Sequence, residues 1–80
     1  LQFFVQSAKT KQFLYESIQM RHSGRPDRAV WTLNMSEAKV FETPTEALST
    51  VSRLSISART RIVMWDGNAL WQVNVLKSND

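Results

Sequence analysis

Eighty residues with ten Lys/Arg, seven Asp/Glu, two Gly, two Pro, three Trp and no Cys make one domain, since two cores cannot be built from this length. Without cysteine there is no disulfide framework, thiolate metal site or cysteine nucleophile, and zinc would have to rely on the single His22 with carboxylates. An apolar share of 42% is too rich for intrinsic disorder, and no run approaches the roughly 18 apolar residues of a membrane span.

In chain order, Leu1-Gln2-Phe3-Phe4-Val5-Gln6-Ser7 is aromatic and β-branched and predicts a strand, followed by a polar turn over Ser7 to Lys11. A second strand is expected from Gln12 to about Gln19, with Phe13 and Tyr15 on one face and Leu14, Glu16 and Ile18 on the other. Next comes Arg21-His22-Ser23-Gly24-Arg25-Pro26-Asp27-Arg28. Gly24 and Pro26 exclude a continuous helix or strand, so this segment predicts an exposed loop holding three guanidinium groups. Ala29 to Met35 alternates again, Trp31, Leu33 and Met35 against Val30, Thr32 and Asn34, and reads as a third half-buried strand. A short helical turn over residues 34–39 is compatible with its end.

Thr43-Pro44-Thr45-Glu46 is a capping box with proline at the first helical position. The Thr43 hydroxyl can accept from the Glu46 amide, while the Glu46 carboxylate can reach back to the Thr43 amide. Ala47, Leu48, Val51 and Leu54 recur at helical spacing, which predicts one amphipathic helix from about Pro44 to about Leu54. A closing hairpin is expected from Arg61–Trp65 and Leu70–Leu76 around Asp66-Gly67-Asn68. A two-residue loop places Ile62 and Met64 on one face with Trp71, Val73 and Val75. Arg59, Arg61, Val63 and Trp65 then share the opposite face with Leu70, Gln72 and Asn74.

These elements predict an α+β domain, an antiparallel sheet of four or five strands in the order β-β-β-α-β-β with the helix on one face. Its expected centre is Phe41, Leu48, Val51, Leu54, Ile62, Met64, Trp71 and Val73.

The charge is uneven. From Lys9 to Arg28, five cations stand against Glu16 and Asp27, which accounts for the whole excess of +3; elsewhere five cations balance five anions. The basic loop reads either as a solvated hairpin loop or as a site for bidentate contact with phosphate or carboxylate. No nucleophile elbow surrounds Ser23, Ser36 or Ser55, no Gly-rich phosphate loop exists, and no ligand cluster accompanies His22. The expectation is therefore a non-enzyme with no cofactor and no metal. Arg59, Arg61 and Trp65 on one strand face would form a cationic and aromatic surface of the kind that anchors protein interfaces or stacks single-stranded nucleic acid. No RNP-like motif, KH-type loop, helix-turn-helix or zinc finger is present.

The string from Trp31-Thr32 through Ala38-Lys39-Val40-Phe41-Glu42-Thr43-Pro44-Thr45-Glu46-Ala47 resembles a pattern in small uncharacterised proteins of phages and mobile elements, over roughly residues 12–55. There, W-T is followed by A-K-V-F, a T-P-x-E-A helix start and a closing pair of strands. The sheet-plus-helix architecture is also similar to that of several anti-CRISPR proteins, which implies by analogy a stoichiometric inhibitor docking on a host protein machine. No anti-CRISPR motif is matched residue by residue, so no binding residues carry over.

The functional expectation is a small binding protein that inhibits or modulates a larger host complex. Arg21, Arg25, Arg28, Arg59 and Arg61 would contact an acidic or nucleic-acid-receiving surface, with Trp65 as apolar anchor. Direct binding of single-stranded nucleic acid or RNA by the same residues is the alternative, as is an oligomerisation module that pairs an uncovered sheet face with a second copy. No membrane partner is expected, and the host cytoplasm is the expected location. The opening Leu1 fits either a lost initiator or excision from a longer protein.

Overall fold

A computed structural model describes residues 1–18 and 28–73. Phe3-Phe4-Val5 is apolar without alternation, the mark of a strand covered on both faces, and it forms the middle of the sheet. This strand, β1 (Gln2–Ser7), pairs along its whole length with β4 (Thr60–Trp65), from Gln2↔Trp65 to Ser7↔Thr60. On the other side of β1 lie β2 (Phe13–Ile18) and then β3 (Arg28–Thr32), while β5 (Leu70–Val73) closes the far edge. The order is β3-β2-β1-β4-β5, with every neighbouring pair antiparallel. With α1 (Pro44–Arg53) packed on β1 and β4, the architecture is α+β in the anticipated element order.

Both ends of α1 are fixed by local chemistry. The Thr43 hydroxyl accepts from the Glu46 amide at 3.2 Å, and Pro44 opens the helix. The second half of the expected box differs: the Thr43 hydroxyl donates to the Glu46 carboxylate at 3.5 Å. At the C-terminus Ser55 takes a left-handed conformation (φ 58°), so that the Ser55 amide donates to Ser52 O and the Ile56 amide to Val51 O. This Schellman turn brings Ile56 back onto Val51 within the core.

That core lies between helix and sheet and is centred on Val5 and Leu14, both 0% exposed, with Phe3, Phe41, Ala47, Val51, Leu54, Ile56 and Ile62 around them. Leu48, Met64 and Val73 pack half-buried at its margin. Trp71, expected at the centre, is instead 55% exposed. It shares the helix-side face with Met64 through their register, but it sits on the edge strand, beyond the reach of α1. Its indole Nε1 donates to Asp66 at 2.8 Å.

The closing hairpin keeps the expected register. Trp65 pairs with Leu70, Met64 with Trp71 and Ile62 with Val73, and the Asp66 amide donates to Ala69 O across the Gly67-Asn68 loop. Gly67 supplies the positive φ (103°) of a primed turn. The expected continuation through Asn74, Val75 and Leu76 lies outside the described residues.

Two strand assignments change. The pairing of β2 with β3 slips between Leu14↔Trp31 and Glu16↔Val30, a bulge at Tyr15. Cross-strand partners share a face, so Glu16 and Ile18 join Phe13 rather than Leu14. The bulge sits where β2 parts from β1: the Lys39 amide donates to Leu14 O, and Phe41 exchanges both backbone bonds with Phe3. The third strand ends at Thr32 instead of reaching Met35. Asn34 accepts from the Ser36 amide and caps a 3-10 turn over Met35–Glu37, as the composition of residues 34–39 allowed.

Candidate functional site

The 3-10 turn decides what the second sheet face can do. Met35 and Ala38 pack against Phe4, Phe13 and Val63, and these three sheet residues are sealed, Phe4 to 2% exposure. Phe4 and Phe13 meet edge to face with centroids 5.8 Å apart. Trp65 lies half-buried against the same cluster. Beside it, the Arg61 Nε donates to the Gln6 side-chain oxygen at 3.1 Å, and Gln6 in turn donates to Lys11 O at 3.2 Å. The face expected to stand bare is therefore a second small core, and Arg61 and Trp65 are partly engaged within the fold.

On the helix side the sheet is open instead. Five strands at about 4.8 Å spacing span about 19 Å, whereas a helix is about 10 Å wide. α1 packs on β1 and β4, Leu14 of β2 is buried in the core beneath it, and Ala29 and Trp31 of β3 lie half-buried at the margin, where the face opens. There a groove of about 820 Å³ opens between β3, the β1–β2 turn and the chain leaving α1. Ala29 and Trp31, on the helix-side face of β3, form one wall. Buried Leu54 and Ile56, seated by the Schellman turn, form its floor.

Among the described residues three cations rim this apolar groove, each from a different segment: Lys9 from the β1–β2 turn, Arg28 from the start of β3, and Arg59 from the 3-10 turn over Ser57–Arg59. All three are exposed, and among the described residues no carboxylate lines the groove. The Ala8 amide donates to Arg59 O at 2.9 Å, which ties the β1–β2 turn to the turn before β4 and sets the two rim segments side by side. That β1–β2 turn is itself rigid: Lys11 adopts φ 67° and donates to Ser7 O, while the Thr10 amide donates to the Ser7 hydroxyl.

The six residues singled out from sequence are thus divided. Arg28 and Arg59 both line the groove, Arg28 from the first position of β3, where its register face is that of Phe13, and Arg61 and Trp65 lie on that second face. Arg59 departs from the expected strand face because it ends the 3-10 turn over Ser57–Arg59, just before β4 begins at Thr60. Arg21 and Arg25 lie outside the described residues. Lys9, Trp31, Leu54 and Ile56 were not anticipated as site residues.

Chemically, the groove offers fixed positive charge beside apolar surface in a volume typical of ligand clefts, roughly 300–1,000 Å³. Among the described residues no group of three or more His, Cys, Asp or Glu could hold a metal ion, and no helix is long and apolar enough to cross a membrane. Comparison of the chain with protein-family models, curated proteins and solved structures finds no match.

Proposed function

We propose that this chain is a non-catalytic binding protein that modulates a larger protein by holding an acidic, partly apolar segment of it in the groove beside β3. The observation that carries the reading is the ring of Lys9, Arg28 and Arg59 around the apolar surface of Trp31, Leu54 and Ile56. Fixed cations of one sign draw an acidic partner in and set its register, while the apolar floor supplies desolvation energy. On this reading the chain acts as a stoichiometric inhibitor of a host machine in the host cytoplasm, as the anti-CRISPR-like architecture implies by analogy.

An acidic protein segment fits better than a nucleic acid. Sheets that bind single strands lay bases on exposed aromatic rings; the groove's described lining offers the half-buried Trp31, Phe4 and Phe13 are sealed under Met35 and Ala38, and the exposed rings of Tyr15 and Trp71 stand outside the groove.

The test is a Trp fluorescence titration with a short peptide of Glu, Asp and Val, its Lys-substituted counterpart, and an oligothymidylate. Saturable binding of the acidic peptide is expected, weakened by salt and by about tenfold or more on combining Arg28→Glu with Arg59→Glu. Affinity indifferent to that double reversal, or an oligonucleotide bound more tightly than the peptide, overturns the proposal.

A further inference from the structure

β3 is the last strand of the sheet, and among the described residues its outer backbone edge has no partner. Sheet edges invite a further strand unless proline, a bulge or an inward-pointing charge blocks them. Arg28-Ala29-Val30-Trp31-Thr32 carries no proline, and the bulge beside it belongs to β2. Its one charge, Arg28, sits at the strand's first position and lines the groove.

The free edge and the basic groove are adjacent. Ala29 and Trp31 belong to β3 and also wall the groove, so a strand laid along this edge would project alternate side chains into it. Five residues of β3 give about 16 Å of edge at 3.3 Å per residue, enough for two or three such side chains. By contrast, the opposite edge strand, β5, does not contribute to the groove.

We infer that the acidic segment binds extended, as a sixth strand on the outer edge of β3. One apolar side chain of the segment rests on Ala29 and Trp31, and a neighbouring carboxylate on the same face meets the rim cations Lys9 and Arg59. Backbone hydrogen bonds would then supply affinity, and the groove would select the sequence. This inference rests on the acidic-partner reading above, and charge complementarity commits it to an acidic protein segment.

An added strand hydrogen-bonds through alternate amides only. The experiment therefore uses the same Glu/Asp/Val peptide with N-methyl groups on either of its two alternating amide sets, titrated against the intact chain by Trp fluorescence. One methylated set is expected to lose about tenfold or more in affinity while the other binds like the parent. In the parent complex, the edge-facing amides of β3 should gain protection from hydrogen exchange. If the two sets behave alike, whether both bind or both fail, strand addition is overturned while salt-sensitive binding of the parent leaves the acidic-partner reading standing. If the parent does not bind, both fall together.

Discussion

Truncating Leu14 and Trp71 separately gives opposite expectations from structure and from residue size. Leu14 is fully enclosed between β2 and the helix layer, so Leu14→Ala removes buried methyl groups and leaves a cavity worth about 3 kcal/mol. A domain of this length has about 4–12 kcal/mol of stability in all, so the variant should lose a large share of it. At about 4–8 °C per kcal/mol, the midpoint falls by about 12–24 °C. Trp71 is the larger side chain, and in a core its truncation would cost about 3–5 kcal/mol. Lying mostly exposed, with one hydrogen bond to Asp66, it should cost no more than about 1 kcal/mol. Urea denaturation followed by far-ultraviolet circular dichroism reads both, independently of the lost indole. A Trp71→Ala variant less stable than Leu14→Ala would refute the placement of the core.

Thr43→Ala removes the oxygen that accepts from the Glu46 amide and should lower stability by about 1 kcal/mol in the same assay. Ser55→Gly should raise it by about 0.5–1 kcal/mol by relieving the left-handed conformation at the end of α1, and Gly67→Ala should lower it through backbone strain, since its Cβ would meet open space. The Asp66 carboxylate accepts from the Ala69 and Asn68 amides and from the Trp71 indole, and these bonds hold its pKa below the ordinary 3.8. A depressed carboxyl stabilises the fold fully above its unfolded value and loses that contribution as pH falls through the folded one. The Trp71 indole N–H resonance should therefore shift with a midpoint below pH 3.8, and a midpoint at or above that value contradicts the hairpin geometry.

The helix and the closing hairpin were legible because short-range chemistry defines them: Thr43-Pro44 at one end of α1, and a glycine at the loop position that needs positive φ. The bulge at Tyr15 had no glycine or proline to announce it, and it arises from a long-range event, the insertion of residues 39–41 beside β1. Phe3-Phe4-Val5 did carry a signal, since an unbroken apolar run calls for cover on both faces, and it places β1 at the centre of the sheet. Trp71 misled because register fixes a face but not whether anything lies above it. The groove was hidden for a related reason. Lys9, Arg28 and Arg59 are far apart in sequence and come to one groove only because β3, the β1–β2 turn and the turn before β4 border it in the fold. One clue was available: a helix of ten residues cannot roof five strands.

The charge field around Trp31 can be measured without any ligand. With Trp65→Phe and Trp71→Phe in place, Trp31 is the only indole left, half-buried in the wall of the groove. Iodide should quench its fluorescence more strongly than caesium, because Lys9, Arg28 and Arg59 concentrate anions there, and the difference should shrink as salt rises. Equal quenching by the two ions, or stronger quenching by caesium, would mean that no cationic groove surrounds this residue.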